Sequence, residues 1–504
     1  MTQNKTKSSL VPFSIFIEDL KIRMQRVFRA EPEPDLLTLR RGVPPAVLSE
    51  IMSANPLSVS IPATYGGRGG HIDEILAVLS AASYESLALS LTLGINSGLF
   101  LQPVTKYAGE DVKKEVFNRF LTRATMGGLM ITEPEFGTDA LNMQTFFTEG
   151  KEKYHLRGLK HWAGLTGFAD YWLLTARERI ASGDLKRDID FFICDVHAPG
   201  QEIIVEEYFD NLGLHQIPYG RNRIDVQIPK SYKLEPKSTG IKLLLDLLHR
   251  SRLHFPGMAH GFIHRMMDEA IDHCKQRWVS GNSLFNYDQV QQRLAKLQAS
   301  YTITSAMCAY SSHKAGLEHD LSSSGLVANS MKSLGTDLMQ EAAQSLVQLV
   351  GAKAYRFSHI GGRAIIDSRP FQIFEGSNDI LYAQISESVV KKMKKGKEHN
   401  LFQSLRLYKH TEKASWPVKE LLNFDLNMQL PQRKMVELGK VISRIVSMEM
   451  VMDLGVKGFH QDLVDNSLVV LKHEIAGLMG HFRAPDYSLV IEEYQQNSSW
   501  MNFV

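Results

Sequence analysis

Cysteine is scarce in this chain of 504 residues, where only Cys194, Cys274 and Cys308 occur. They lie far apart and form no CxxC pair, which argues against a disulfide framework and against a thiolate metal site. A reducing compartment fits, and with it a cytoplasmic location. Excess charge is also missing, with 57 Lys and Arg against 55 Asp and Glu. The chain therefore lacks the overall positive charge that drives nonspecific nucleic-acid binding. No uncharged apolar run is read as reaching the roughly 20 residues of a spanning helix. The stretch MTQNKTKSSLVPFSIFIEDL has two lysines and a short apolar patch. Glu18 and Asp19 interrupt it and no small-residue cleavage site follows, so no signal peptide is expected. There is no internal repeat, low-complexity tract, HExxH pair, or GxGxxG after a strand. His260 and His264 share a helix face, with Glu269 and His273 beyond. Without a supporting Cys or carboxylate at ligand spacing, no metal site is expected there.

What is present is the balance of a folded protein, 44% hydrophobic and 22% charged, long enough for several packed layers. Residues 1–129 lack strand alternation and show helical patterning around 72–108 and 111–123, which predicts an N-terminal helical domain. Over 130–236 the segments YHLRGLKHW, DYWLLTARE, DIDFFICDV and RIDVQIP alternate or form short apolar runs between turn residues, which predicts a β-barrel or sandwich domain. Helical periodicity then returns. Tyr287, Val290, Leu294 and Leu297 fall on one face, and residues 237–397 read as a four-helix bundle. Residues 398–504 carry extra helices, for example through Met435, Leu438, Ile442 and Ile445, as a packing or oligomerisation appendage. The fold class is thus mainly α with one β domain. Lys391, Lys392, Lys394, Lys395 and Lys397 form a basic run, read first as a solvated helix end and otherwise as a site for phosphate or an acidic partner.

Several motifs carry the chemistry. In ITEPEFGTDA (131–140), Gly137 permits close backbone approach, while Thr132 and Thr138 offer hydroxyls and amides. SIPATYGGRGGHIDE (60–74) contributes Pro62, Tyr65, Gly66 and Gly67, and GLKHWAGLTGFADYWLLTAR (158–177) contributes Trp162. Arg252 and Arg277 stand twenty-five residues apart, Gln348 and Gly351 lie in SLVQLVGAKAY, and Glu375 lies in FQIFEGSNDILYAQIS. In this order and spacing, over residues 45–395, the motifs resemble the acyl-CoA dehydrogenase family, whose signatures run approximately TEPxAGSD, GxKxWITNG, QxxGGxG and IYEGTSEIQ.

The resemblance implies FAD as cofactor, with Thr132, Gly137, Thr138 and Trp162 around the flavin. It implies that Arg277 reaches the pyrophosphate across a subunit interface, that Gln348 and Gly351 make the adjoining turn, and that Ser377 and Asp379 stand where flavin-contacting residues lie. Glu375 is implied as the base that removes the α proton, with Arg252 and Gly376 on the substrate side. Such a base needs a dry apolar site to raise its basicity, and Phe371, Ile373 and Phe374 supply apolar neighbours. Some relatives carry the base just before the arginine matching Arg252; here that residue is Ser251, which cannot serve. Ala163, Gly164 and Leu165 replace Ile-Thr-Asn, and Val279, Ser280, Ala352 and Ala354 are further departures. The implied reaction is α,β-dehydrogenation of an acyl-CoA or acyl carrier protein thioester, in a homodimer or homotetramer, with an electron-transfer flavoprotein as acceptor. The alternatives are an oxidase that uses oxygen, and a DNA-binding flavoprotein of the same fold, which the near-neutral charge disfavours.

Overall fold

The computed structural model describes residues 11–29, 42–137, 139–485, 487 and 489–504. Its N-terminal part is helical: α1 (Phe13–Arg29), α2 (Pro45–Met52), α3 (Ile72–Glu85), α4 (Leu87–Gly94), a π-helical stretch (Ile95–Leu101), α5 (Gln102–Tyr107) and α6 (Glu110–Thr122). Ser86, in extended geometry, ends α3 and caps α4 by accepting from the Leu89 N–H at 3.2 Å. The run Leu87–Tyr107 is long and apolar enough to cross a bilayer, which corrects the sequence-based expectation. Nearly all of it is buried, so it forms the centre of this domain. Within it, Asn96 accepts the Gly127 N–H at 2.6 Å and ties the helices to the first strand.

The middle domain is one curled seven-stranded sheet: β1 (Gly127–Met130), β2 (Phe146–Glu149), β3 (Lys153–His161), β4 (Tyr171–Glu178), β5 (Asp190–Asp195), β6 (Gln201–Tyr208) and β7 (Gly220–Pro229). The order is β1-β4-β2-β3-β7-β6, with β5 antiparallel to β4. Alternate residues of β7 are buried, as period-two patterning requires. Inside the curl, Phe147 packs edge-on against Phe192 and Tyr154, with ring centroids 4.9 and 5.4 Å away.

The chain then forms α7 (Gly240–Arg252), α8 (Phe255–Gln276), a short hairpin β8–β9 (Trp278–Val279, Asn282–Ser283), α9 (Asp288–Lys314), α10 (Gly325–Val350), α11 (Ile360–Ser368) and α12 (Asn378–Gly396). Helices α8, α9, α10 and α12 build the bundle, and α3 packs along α8. That contact is backbone-close: a Cβ at Gly261 would lie 1.9 Å from the Ser80 carbonyl oxygen.

The C-terminal segment adds α13 (Leu401–Leu405), α14 (Lys419–Leu422), α15 (Gln432–Val456) and α16 (Gln461–Arg483). On α15, Leu438, Ile442 and Ile445 are fully buried and Met435 half-buried, the face that the periodicity selects. This face lies on α12, where a Cβ at Gly439 would be 2.0 Å from the Tyr382 carbonyl oxygen. Ser386 donates to the Met435 carbonyl at 2.5 Å, and Arg444 bonds Glu474 at 2.7 Å between α15 and α16.

Candidate active site

Two motifs that looked independent are joined by an ion pair. Lys160, fully buried on β3, donates to Glu133 at 2.8 Å and to the Thr175 hydroxyl at 3.0 Å. Glu133 also accepts the Thr145 N–H at 3.0 Å and the Gln144 N–H. Burial alone would raise the Glu133 pKa, but the Lys160 charge and these hydrogen bonds outweigh it and hold the carboxyl below its ordinary value. The loop from Ile131 to Gly137 is thereby pinned to the strand that ends just before Trp162. Neither Lys160 nor Glu133 was singled out from the sequence, although both sit inside the quoted motifs.

Between that loop and the helices lies a cavity of about 340 Å³, lined by Thr132, Gly137, Trp162, Arg252, Glu375 and Gly376 among others. Six predicted residues from two domains therefore meet, and Leu91, Ile95 and Leu99 of the N-terminal domain line the same cavity. Trp162 holds a left-handed backbone (φ 55°) and is 53% exposed, with one side packed on Phe209 at 4.4 Å between centroids. A Cβ at Gly137 would touch nothing within 4 Å, so the loop leaves open space beside it. At Gly164 the reverse holds, because a Cβ would meet Ile95 Cδ1 at 3.0 Å and Tyr219 Cε1 at 3.3 Å. The missing threonine is thus a matter of room, which Ile95 and Tyr219 have taken. Gly164→Thr is expected to lower thermal stability by about 1–3 kcal/mol through overpacking, and Ile95→Val in the same chain to recover part of it. An unchanged melting temperature in Gly164→Thr would rule this out.

Glu375 stands on a strained turn. It has φ 52°, a conformation that costs a non-glycine residue energy unless its surroundings hold it. Gly376 follows at φ 90°. Two cations from different helices grip this turn by its carbonyls: Arg252 Nη2 donates to Glu375 O and Lys332 Nζ to Gly376 O, each at 2.8 Å. Arg252 is held by Asn329 at 2.7 Å and Lys332 by Asn378 at 3.0 Å. Asn378 in turn donates to Asp337 at 2.7 Å, as does the Tyr382 hydroxyl at 2.6 Å. Phe371 and Phe374 pack against Phe255, with centroids 5.8 and 6.0 Å from it.

The Glu375 carboxylate accepts from Ser251 Oγ at 2.8 Å through Oε1, while Oε2 is buried without a hydrogen-bond partner. Burial raises its pKa, against the lowering effects of Arg252, the Ser251 hydrogen bond and Lys332. Burial drives Lys332 down to about 7, although the Glu375 charge acts in the opposite direction. Ser251, excluded as a base by its side chain, is a donor to the Glu375 carboxylate. Lys332 sits in the first half of α10, outside the quoted motifs, and nothing local marks it.

The other predicted residues lie elsewhere. Ser377 and Asp379 open α12 just beyond the cavity wall, and the acid there suits a helix N-terminus. Arg277, Gln348 and Gly351 are exposed, at the ends of α8 and α10. The first of these ends is close to the turn after α10, since His273, lowered mainly by burial, also feels Lys353 and Arg277. Thr138 lies outside the described residues. His260 and His264 face a separate cavity of about 700 Å³, where His260 bonds Ser80 at 2.8 Å and His264 pairs with Asp268 at 3.4 Å. Glu269 is taken by Arg265 at 2.9 Å.

Comparison with known families gives three consecutive matches: the acyl-CoA dehydrogenase N-terminal domain over residues 18–124, the middle domain over 128–226 and the C-terminal domain over 238–390. The chain belongs to the acyl-CoA dehydrogenase family. Among curated relatives, it is similar to an acyl-CoA dehydrogenase of Bacillus subtilis (strain 168), 24% identical over 336 residues, which cover 66% of this chain and 86% of the relative. It spans 58% of the length of the human very long-chain specific mitochondrial acyl-CoA dehydrogenase, at 21% identity over 401 residues and 76% of this chain. Among solved structures, an acyl-CoA dehydrogenase complexed with FAD from Bacillus anthracis superposes with TM-score 0.77 at 17% identity, covering 95% of this chain and 89% of that one. A match of that extent reaches into the C-terminal helices. The prolyl acyl carrier protein oxidase AnaB superposes with TM-score 0.66 at 16% identity, covering 74% of this chain and 98% of its own.

Proposed function

We propose that this protein is an FAD-dependent oxidoreductase that desaturates a fatty acyl thioester between its α and β carbons to the trans-2-enoyl product, with Glu375 as base. The observation that carries the reading is the pairing, across one cavity, of a buried carboxylate with an unsatisfied oxygen and a half-exposed indole.

The residues present fit a flavin. Trp162 offers a flat wall, Thr132 supplies polar contacts, and the open space at Gly137 lets backbone approach the ring. Bound FAD supplies the acceptor for the hydride that leaves the β carbon. Glu375 takes the α proton, which goes to the carboxylate as the carbon–carbon double bond forms. Its raised basicity follows from the loss of water around it. Charge that develops on the thioester oxygen needs fixed donors. The Glu375 N–H has no acceptor among the described residues, and the grip of Arg252 and Lys332 on the adjoining carbonyls fixes its direction. Arg277, Gln348 and Gly351, remote from this cavity, are proposed to meet the pyrophosphate of a cofactor bound to a second subunit, in a homodimer or homotetramer.

Anaerobic mixing of the yellow protein with acyl-CoA and acyl carrier protein thioesters of graded length is expected to bleach the visible flavin absorbance. If no thioester bleaches it, the reading fails. Admitting air separates two subclasses: persistent bleaching marks an enzyme that passes electrons to an electron-transfer flavoprotein, and rapid return of colour marks an oxidase.

A further inference from the structure

The face of α12 that lines the cavity does not end there. Ile380 and Gln384 are cavity residues, and steps of three and four along the same stripe lead past Ser388 to Lys391 and Lys395. At 1.5 Å per residue, these two lysines stand about 10 and 16 Å beyond Gln384. Helix α10 runs antiparallel alongside, with Asn329 bonded to Gln384 at 3.1 Å and Lys332 to Asn378. The segment before α10 is tied to the cavity wall: cavity residue His249 bonds the Leu321 carbonyl at 2.7 Å through Nδ1.

Around this helix end basic side chains predominate. His410 is lowered mainly by burial, and then by Lys409, Lys392 and Lys314, which places three separate chain segments around one imidazole. Lys392 lies 4.7 Å from the centre of the Tyr408 ring. Lys314, Lys391, Lys392, Lys394, Lys395, Lys397 and Lys409 are all exposed, and none forms an ion pair among the described residues. Neighbouring Lys413 differs, being paired with Asp453 at 2.7 Å. The nearby carboxylates are fewer: Glu387 and Glu412 are exposed, Asp453 also acts on His410, and Glu398 accepts the Asn400 N–H at 2.8 Å. Leu407, 72% exposed, lies among these cations, between Arg406 and Tyr408.

We infer that this surface, at the far end of α12, docks an acidic acyl carrier protein, whose thioester arm then enters the Glu375 cavity; the inference rests on the function proposed above. A run of like charges without counterions is destabilising unless a partner of opposite sign visits it, and such complementarity acts mainly on the encounter rate. The spread of cations over three segments, with an exposed leucine among them, suits a protein face better than a single nucleotide.

The test uses the flavin-loaded full chain and its Lys391→Glu/Lys392→Glu/Lys395→Glu variant. Three probes carry the same acyl group: an acidic acyl carrier protein, coenzyme A, and pantetheine without a terminal phosphate. The triple variant is expected to lose at least about tenfold in kcat/KM on the carrier-bound thioester, through KM, with a flattened salt dependence. On acyl-pantetheine it is expected to stay within about twofold of the parent, since no docking is involved. The inference is overturned if acyl-CoA matches or exceeds the carrier-bound substrate in the parent protein, if the variant leaves carrier KM unmoved, or if acyl-pantetheine turnover falls in parallel. Failure of all three probes to bleach the parent flavin instead rejects the proposed function itself.

Discussion

Glu375→Gln is expected to leave a folded, yellow protein whose flavin is reduced by acyl thioesters about 10²- to 10⁴-fold more slowly, the range typical for loss of a general base. Glutamine keeps the shape of the side chain and can still accept from Ser251, and the carbonyl contacts of Arg252 and Lys332 involve the backbone alone. Only the proton acceptor is lost. Rapid-mixing absorbance measures this directly, and undiminished bleaching would show that another group removes the proton. The parent should also show reduction that rises with pH through a value above the ordinary carboxylate range, because burial raises the Glu375 pKa. The stability consequence has the opposite sign. With the folded pKa above the unfolded one, the folded chain holds its proton more tightly, so stability falls as pH rises across that interval. Gln carries no such cost. The melting temperature of Glu375→Gln relative to the parent is therefore expected to increase as pH rises above the ordinary carboxylate pKa, read at intervals of about one pH unit.

Lys160→Met should be the most damaging single change outside the cavity. It leaves Glu133 buried and without its counterion, and breaking such a pair from one side typically costs about 3–5 kcal/mol. The loss should appear in urea unfolding, and in weaker FAD retention, because the Ile131–Gly137 loop hangs on this pair. Adding Glu133→Gln removes the uncompensated charge and is expected to restore a large part of the stability, which a purely steric effect of methionine would not allow. Acid sensitivity follows as well. Glu133 lies below its ordinary pKa in the folded chain, so its contribution is present above the unfolded value and disappears as pH falls through the depressed one. If the single variant unfolds at the same urea concentration as the parent, the pair is not what holds the loop.

The architecture was largely legible because its periodicities are long. Strands β3, β4, β5 and β7 coincide with the segments chosen for alternation, and the helical stretches around 72–108 and 111–123 emerge as α3 to α6. The sheet's remaining strands are short or partly exposed, so their patterning is weak. Glu375, Trp162, Thr132, Gly137, Arg252 and Gly376 could be gathered because each sits in a compact motif. What pattern could not reveal is how motifs hold one another. Lys332 and Ser251 owe their place at the turn to tertiary contacts with sequence separations of 44 and 124 residues. The gap at Gly164 is explained only by Ile95 and Tyr219, neither of them adjacent in sequence.

The close seating of Gly439 on Tyr382 has a mechanical consequence. Tyr382 is also bonded to Asp337, which secures Asn378, which secures Lys332 at the Glu375 turn. Helix α15 thus acts as a backstop for the Glu375 turn: a bulkier residue at 439 would push α12 toward the cavity and tilt Glu375, with no change to any residue that lines the cavity. The C-terminal helices, silent in chemical motifs, belong to the foundation of the active site.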